Sequence, residues 1–171
     1  AMVTLARHPE DLARIREELA PIDAESIARG EIRARAPYLV AVVHEVLRLY
    51  PPIWWVDRVA TTGGEIGGVE YAAGDHFVLS SLALHRDAAY WDEPDTFRPE
   101  RFADGPPSGR ARPYIPFGFR PRYCAGVGFA MQELCTALAR IAPALDLELP
   151  AGLDPDRFTT AATLRPAGQW R

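Results

Sequence analysis

The sequence lacks the features that mark membrane-spanning, exported and disulfide-stabilised proteins. Its longest apolar runs, such as residues 38–43, are far shorter than the roughly 20 residues that a membrane-spanning helix needs. The first residues contain neither the charged nor the apolar region of a signal peptide. The chain has only two cysteines, Cys124 and Cys135, which provide neither a disulfide framework nor a zinc-binding pattern. These absences predict a protein without a membrane span in a reducing, cytoplasmic compartment.

Strong charge and internal repetition are also absent. The formal net charge of −4 is mildly acidic and argues against a nucleic-acid partner. The 171 residues, of which 48% are hydrophobic, can bury one ordinary core, so a single domain over residues 1–171 is expected. Apolar residues recur at helical spacing from Pro9 to Pro21, over residues 35–50 and over residues 127–145. Residues 53–60, 65–69 and 76–84 favour strands separated by glycine turns. The pattern predicts a mainly α protein with small β-sheets (α+β).

The stretch from Phe117 to Gly126 carries the clearest chemistry. It is a loop rich in glycine, proline and aromatic residues, and it reaches Cys124 just before an apolar helix. The helix dipole and the free N–H groups of the first turn favour a thiolate there, and Arg122 adds a fixed positive charge. A thiolate suits a soft metal such as haem iron. The loop alone leaves open the alternative of a buried structural cysteine, which is the usual role of a lone Cys.

Charged residues inside an apolar helix form the second notable pattern. Glu45 and Arg48 are three residues apart on the apolar stripe of the helix over residues 35–50. An exposed intrahelical ion pair would contribute little to stability. The apolar neighbours instead predict a buried pair, which requires further polar partners. His85 is a possible metal ligand, but a lone histidine without a spaced partner is more often a hydrogen-bonded part of the scaffold.

The loop resembles the haem-binding signature of the cytochromes P450. Phe117, Arg122, Cys124 and Gly126 occupy the positions at which that family has its Phe, Arg, ligand Cys and last Gly. One position departs from the signature, because Arg120 stands where the family usually has a second Gly. If the turn required a positive φ at Arg120, the side chain there would cost about 1–2 kcal/mol.

Two further segments resemble the same family. Glu45 and Arg48 match its Glu-x-x-Arg motif, and residues 99–102 match its Pro-Glu-Arg-Phe element. The resemblance implies that Arg101 completes a structural charge cluster with Glu45 and Arg48. It also implies that Arg58 and Arg122 bind the haem propionates, which are carboxylates that suit Arg.

The resemblance covers the whole chain but only the C-terminal part of the family's fold, so the N-terminal portion is expected to be absent. It implies a haem–thiolate monooxygenase that inserts one oxygen atom of O2 into a small organic substrate. The implied cofactor is haem b (iron protoporphyrin IX), with Cys124 as the metal ligand. The implied partners are a ferredoxin- or flavodoxin-type electron donor and the N-terminal portion as a separate chain. The alternative function is that of a non-catalytic fragment of this kind, acting as a protein-binding or scaffold module.

Overall fold

The computed structural model describes residues 1–107, 113–149, 158–160 and 163–166. It contains seven α-helices in this part of the chain: α1 (Met2–Arg7), α2 (Pro9–Leu19), α3 (Ala24–Ala28), α4 (Ile32–Arg35), α5 (Pro37–Leu49), α6 (Ser81–His85) and α7 (Val127–Ile141). A 3₁₀ helix spans Pro99–Phe102. The strands are β1 (Val56–Val59), β2 (Gly64–Ile66), β3 (Val69–Tyr71), β4 (His76–Leu79), β5 (Phe158–Thr160) and β6 (Leu164–Pro166). The predicted mainly helical class with small sheets is confirmed.

Helix α5 lies at the centre of the fold. Ten of its 13 residues are buried, including both members of the predicted charged pair. A helix that is buried on nearly all sides must pack against several neighbours. Helices α2, α4 and α7 and the 3₁₀ helix provide these contacts. The main core joins apolar side chains of α2, α5 and α7, such as Ile15, Val42 and Leu138.

The amino terminus of α5 is capped from another helix. Its first residue is Pro37, and its own N-cap residue, Ala36, supplies no side-chain hydrogen bond. The Glu18 carboxylate at the end of α2 instead accepts hydrogen bonds from the backbone N–H groups of Tyr38 and Leu39, at 2.7 and 2.9 Å. A negative charge at this end also complements the helix dipole. The cap therefore fixes α2 against the start of α5.

The strands form three separate two-stranded antiparallel sheets. In the first, β1 pairs with β4, and Arg58 lies opposite Phe77. The second is a hairpin of β2 and β3, whereas the sequence predicted one strand over residues 65–69. Gly67 and Gly68 have φ values of 61° and 81°, so they make the turn that breaks this strand. The third sheet pairs β5 with β6.

The predicted strand over residues 76–84 is also shorter than expected. Strand β4 ends at Leu79, and helix α6 begins at Ser81. The Ser80 side chain accepts a hydrogen bond from the Ala83 backbone N–H at 3.1 Å, which is the contact of a helix N-cap. Helix α6 places His85 beneath the carboxyl end of α5. None of the helices in the described residues is long and apolar enough to cross a membrane.

Candidate functional site

The loop that carries Cys124 is closed by backbone hydrogen bonds. The Cys124 N–H donates to the Phe117 carbonyl at 3.0 Å, and the Gly118 N–H donates to the Ile115 carbonyl at 3.0 Å. Cys124 itself is exposed, two residues before Gly126, the N-cap of α7. The structure therefore holds the cysteine in a fixed backbone frame and leaves it accessible.

The left-handed position of this loop falls at Gly118 and not at Arg120. Gly118 has a φ of 76°, a conformation that residues with a Cβ rarely adopt. Glu93 is the sole non-glycine residue with a positive φ in the described part of the chain. Arg120 therefore does not adopt the left-handed conformation, so the condition under which an arginine at this position would be strained is not met.

Cys124 lines a pocket of about 230 Å³ together with two arginines, Arg58 and Arg122. Arg58 comes from β1, and Arg122 from the Cys124 loop. Elsewhere the lining is largely apolar and includes Ile53, Trp55, Val56, Leu79, Ile115 and Phe117. Four of the five predicted cofactor-binding residues therefore line this pocket, with Arg58 from one region of the sequence and Phe117, Arg122 and Cys124 from another. The fifth, Gly126, is not part of the lining.

Neither arginine of the pocket has an acidic partner within the described residues. The ion pairs among these residues, with nitrogen–oxygen distances of up to 4.0 Å, are all made by other basic side chains. Arg58 donates a hydrogen bond from Nη1 to the Asp57 carbonyl at 2.7 Å, and it is exposed. Arg122 is also exposed. Both guanidinium groups are therefore available to carboxylates of a ligand.

The donor set of the pocket fits a haem. A thiol can supply an iron ligand, two guanidinium groups match two propionates, and apolar walls suit a porphyrin. A Cβ added at Gly126 would lie in van der Waals contact with the Cys124 sulfur, at 3.8 Å. Cys135 cannot take this role, because it is fully buried in the core on α7 and burial raises the pKa of its thiol to about 11.

The structure also brings together the predicted charge cluster. Glu45 and Arg48 are both fully buried, and the Arg48 guanidinium donates to the two carboxylate oxygens of Glu45 at 2.7 and 2.8 Å. Arg48 also donates to the backbone carbonyls of His85 and Pro94, at 2.8 and 2.7 Å, and of Thr96 at 3.2 Å. All five N–H groups of the guanidinium are therefore used, as a buried arginine requires.

Arg101 is the looser member of this cluster. Its Nε lies 3.4 Å from a Glu45 oxygen, but the geometry does not make a hydrogen bond. Its Nη2 donates to the Glu93 carbonyl at 2.8 Å. Burial lowers the pKa of Arg101, and the Glu45 charge partly opposes this effect. Glu45 also accepts the Arg98 backbone N–H at 2.9 Å. The cluster thus ties α5 to the segment from residue 93 to the 3₁₀ helix.

A buried aromatic cluster beside the loop was not predicted from the sequence. It contains Tyr114, Trp91, Phe102 and the two histidines His44 and His85, with ring centroids 5.0 to 6.5 Å apart. The Tyr114 hydroxyl donates to the His44 carbonyl at 3.1 Å and contacts His44 Nδ1 at 2.9 Å. Burial lowers the pKa of both histidines to about 4. The sequence contained one signal for this cluster, which is the aromatic residue Tyr114 a few positions before the cysteine loop. Its partners could not be identified from the sequence, because they lie up to 70 residues away.

His85 contributes hydrogen bonds as predicted for a scaffold histidine. Its Nδ1 lies 3.1 Å from the Arg48 carbonyl, and its Nε2 accepts the Ile115 backbone N–H at 2.8 Å. The side chain is fully buried. It therefore joins the end of α5 to the residue from which the Cys124 loop departs.

Comparisons with known proteins show which proteins this chain is similar to. The family model described as Cytochrome P450 matches residues 1–169. The chain is 34% identical to Cytochrome P450 3A14 of Cavia porcellus over 175 residues, which cover 97% of this chain and 34% of that protein. It is 36% identical to Cytochrome P450 76M5 of Oryza sativa subsp. japonica, covering 96% of this chain and 35% of that protein.

Solved structures show the same similarity. The cyanobacterial CYP120A1 with bound retinoic acid superposes with a TM-score of 0.80 at 28% sequence identity, covering 95% of this chain and 38% of that one. The cytochrome P450 CYP102L1 superposes with a TM-score of 0.81 at 28% identity, covering 97% of this chain and 38% of that one. The chain spans about a third of the length of the curated relatives that it matches.

Proposed function

This chain belongs to the cytochrome P450 family, and we propose that it is the haem-ligating part of a haem–thiolate monooxygenase. The enzyme would insert one oxygen atom of O2 into a small organic substrate, using electrons from a redox partner. The observation that carries the proposal is the pocket in which Cys124, Arg58 and Arg122 meet. A thiolate suits haem iron and guanidinium groups suit propionates, and the three residues come from two separate regions of the chain.

Each side chain has a distinct role in this proposal. The Cys124 thiolate is the iron ligand of haem b, while Arg58 and Arg122 bind the two propionates through charge-assisted hydrogen bonds. Phe117 forms part of the apolar wall that excludes water from the ligand. A bound haem would supply the oxygen chemistry at this site, and the Cys124 thiolate would donate electron density to its iron.

The buried charge cluster acts on the loop at a distance. Glu45, Arg48 and Arg101 touch neither the pocket nor the sulfur, so we propose a purely structural role for them. They hold α5 against the segment that follows α6, and His85 connects this scaffold to the loop. A fixed loop backbone keeps the thiolate oriented without reorganisation when the cofactor binds.

We also propose an electron-donating partner and a cellular location. A ferredoxin- or flavodoxin-type protein is the proposed electron donor, and exposed Arg120 provides a positive charge beside the cysteine loop for an acidic surface. The prediction of a cytoplasmic location is kept as part of the proposal.

The decisive experiment is the absorption spectrum of the reduced, CO-bound protein after haem is added. We expect a thiolate-type spectrum from the parent and from Cys135→Ala, and its loss from Cys124→Ala. The measurement should use the 171-residue chain alone and mixed with a polypeptide corresponding to the other two thirds of the relatives. If Cys124→Ala retained the spectrum and Cys135→Ala lost it, the ligand assignment would be wrong.

The propionate contacts can be tested separately with a modified cofactor. Arg58→Met and Arg122→Met should each weaken binding of haem, but they should have little effect on haem whose propionates are esterified. Arg29→Met is a suitable control, because Arg29 is exposed and pairs with Glu25 and Glu31 away from the pocket. Equal losses for both forms of haem would exclude the proposed arginine–carboxylate contacts.

A non-catalytic, protein-binding module remains the second candidate. Its support is a mostly apolar groove of about 800 Å³ lined by α1, α5 and α7, which could receive another polypeptide. If no haem binds under either condition of the spectroscopic test, this second function replaces the first.

A further inference from the structure

A continuous series of hydrogen bonds runs from the buried ion pair to the backbone of the cysteine. The His85 Nδ1 contacts the Arg48 carbonyl at 3.1 Å, and its Nε2 accepts the Ile115 N–H at 2.8 Å. The Ile115 carbonyl accepts a hydrogen bond from the Gly118 N–H at 3.0 Å. The Phe117 carbonyl, which belongs to the same peptide group as the Gly118 N–H, accepts one from the Cys124 N–H at 3.0 Å. In this series the imidazole is the only side chain between helix α5 and the loop.

The two contacts of His85 determine its tautomer. An amide N–H can only donate, so Nε2 must accept from Ile115 and carry no proton. Nδ1 must then carry the proton of the neutral ring and donate it to the Arg48 carbonyl. This carbonyl belongs to the last turn of α5, where carbonyls have no partner within the helix. One neutral imidazole thus satisfies a donor and an acceptor that would both otherwise be unpaired.

We propose that His85 is a positioning residue for the Cys124 loop, and that it acts through its Nε2 acceptor. The bond to Ile115 fixes the residue at which the loop leaves the scaffold, and the two turns that follow transmit that position to the Cys124 backbone. The importance of this position for haem rests on the proposed function. The positioning of the backbone does not, because it can be measured without haem.

The neighbouring hydroxyl contact holds a different part of the same segment. Tyr114 bonds to His44 through its side chain, and the Ile115 backbone is not involved. Loss of the Tyr114 hydroxyl should therefore loosen the aromatic cluster without freeing the Ile115 N–H. Tyr114→Phe is thus a matched control that removes a part-buried hydrogen bond from the same cluster.

Two amide substitutions separate the two hydrogen bonds of His85. In His85→Gln, the side-chain oxygen reaches the position of Nε2 and can accept from Ile115. In His85→Asn, the shorter amide reaches only the position of Nδ1 and can donate to the Arg48 carbonyl. Both variants place a polar amide in the same buried site and remove one hydrogen bond each, so a general loss of packing would affect them similarly.

The experiment is residue-resolved amide hydrogen exchange on the 171-residue chain without haem, together with urea unfolding. We expect exchange at Ile115, Gly118 and Cys124 to increase at least about tenfold in His85→Asn beyond the change explained by global stability, because the part-buried Ile115 N–H has lost its acceptor and no longer fixes the two loop turns that bond Gly118 and Cys124. His85→Gln and Tyr114→Phe should stay close to the parent at these three amides. Equal exchange in His85→Asn and His85→Gln, or an increase accounted for by global unfolding alone, would overturn the proposal.

Haem titration of the same variants then distinguishes this proposal from the proposed function. If the parent binds haem, His85→Asn should bind it at least about tenfold more weakly than His85→Gln does. If the parent binds no haem but the exchange pattern holds, the positioning role stands and the proposed function fails. If the exchange pattern holds but both variants bind haem equally, the position of the loop backbone does not control haem binding, and that part of the proposal is wrong.

Discussion

The buried Arg48 guanidinium should be far more sensitive to replacement by lysine than any exposed arginine of the chain. Arg48 donates five hydrogen bonds, two to Glu45 and three to backbone carbonyls. Arg48→Lys keeps the positive charge, but an ammonium has three N–H groups and cannot reproduce the planar fork. At least two of the acceptors must therefore lose their partner in a site without access to water.

The magnitude follows from the number of hydrogen bonds that a lysine cannot make. A hydrogen bond to a charged group contributes about 1.5–3 kcal/mol, so the absence of two gives a destabilisation of about 3–6 kcal/mol for Arg48→Lys. This is a large part of the total stability of about 5–15 kcal/mol expected for a domain. Arg48→Met removes the charge too, and it leaves Glu45 buried without its main counter-ion. We expect this variant to fail to fold.

Arg101 should be less sensitive, because its contacts are poorer. Its Nε makes no hydrogen bond to Glu45, and Glu45 keeps two bonds from Arg48 and one from the Arg98 N–H. Arg101→Ala should therefore destabilise the chain by about 1–3 kcal/mol, the range for a buried polar group that loses its partner.

Urea unfolding followed by circular dichroism at pH 7 can test this order. Arg29→Lys is the matched control, since Arg29 makes ion pairs at 2.7 Å with Glu25 and Glu31 but is half-exposed. Exposed pairs of this kind contribute about 1 kcal/mol or less, and salt screens them. The destabilisation in Arg48→Lys should be insensitive to salt. A destabilisation in Arg48→Lys within about 1 kcal/mol of that in Arg29→Lys would refute the reasoning that burial decides the cost.

Three further predictions concern the thiols, the loop and pH. In the native chain the exposed thiol of Cys124 should react with iodoacetamide, and the buried thiol of Cys135 should react only after unfolding. Mass spectrometry of the labelled peptides can test this. Arg120→Gly should leave haem affinity unchanged, because Arg120 has no positive φ. The same variant should be reduced more slowly by an acidic electron donor, which stopped-flow spectroscopy can measure. Tighter haem binding by the variant would contradict this prediction. Because burial lowers the pKa of His44 and His85 to about 4, the unfolded chain binds more protons than the folded chain between about pH 6.5 and pH 4. Stability should thus fall as pH decreases through this window, by about 2 kcal/mol for each histidine between pH 7 and pH 5, and His85→Gln should remove about half of that loss in urea unfolding.

The sequence by itself determined the helices and the identity of the charged partners. Apolar periodicity located the three long helices, and an ion pair in an apolar stripe required Glu45 and Arg48 to be buried with further partners. These inferences succeed because the apolar stripe of a helix is a local property of the sequence, and it indicates which face of the helix will be buried. The resemblance of the loop around Cys124, and of the segments with Glu45 and Arg48 and with residues 99–102, to motifs of one family also predicted the family that the comparisons show.

The tertiary structure alone decided where these segments meet. Glu18 caps a helix that begins well beyond it in the sequence, and Arg58 reaches the Cys124 pocket from a strand far upstream of the loop. The same holds for His85, whose two ring nitrogens bridge Arg48 and Ile115. No local pattern specifies such contacts, because each depends on the packing of several elements at once. The loop conformation is similar: only the folded backbone shows that Gly118, and not residue 120, takes the positive φ that a side chain would oppose.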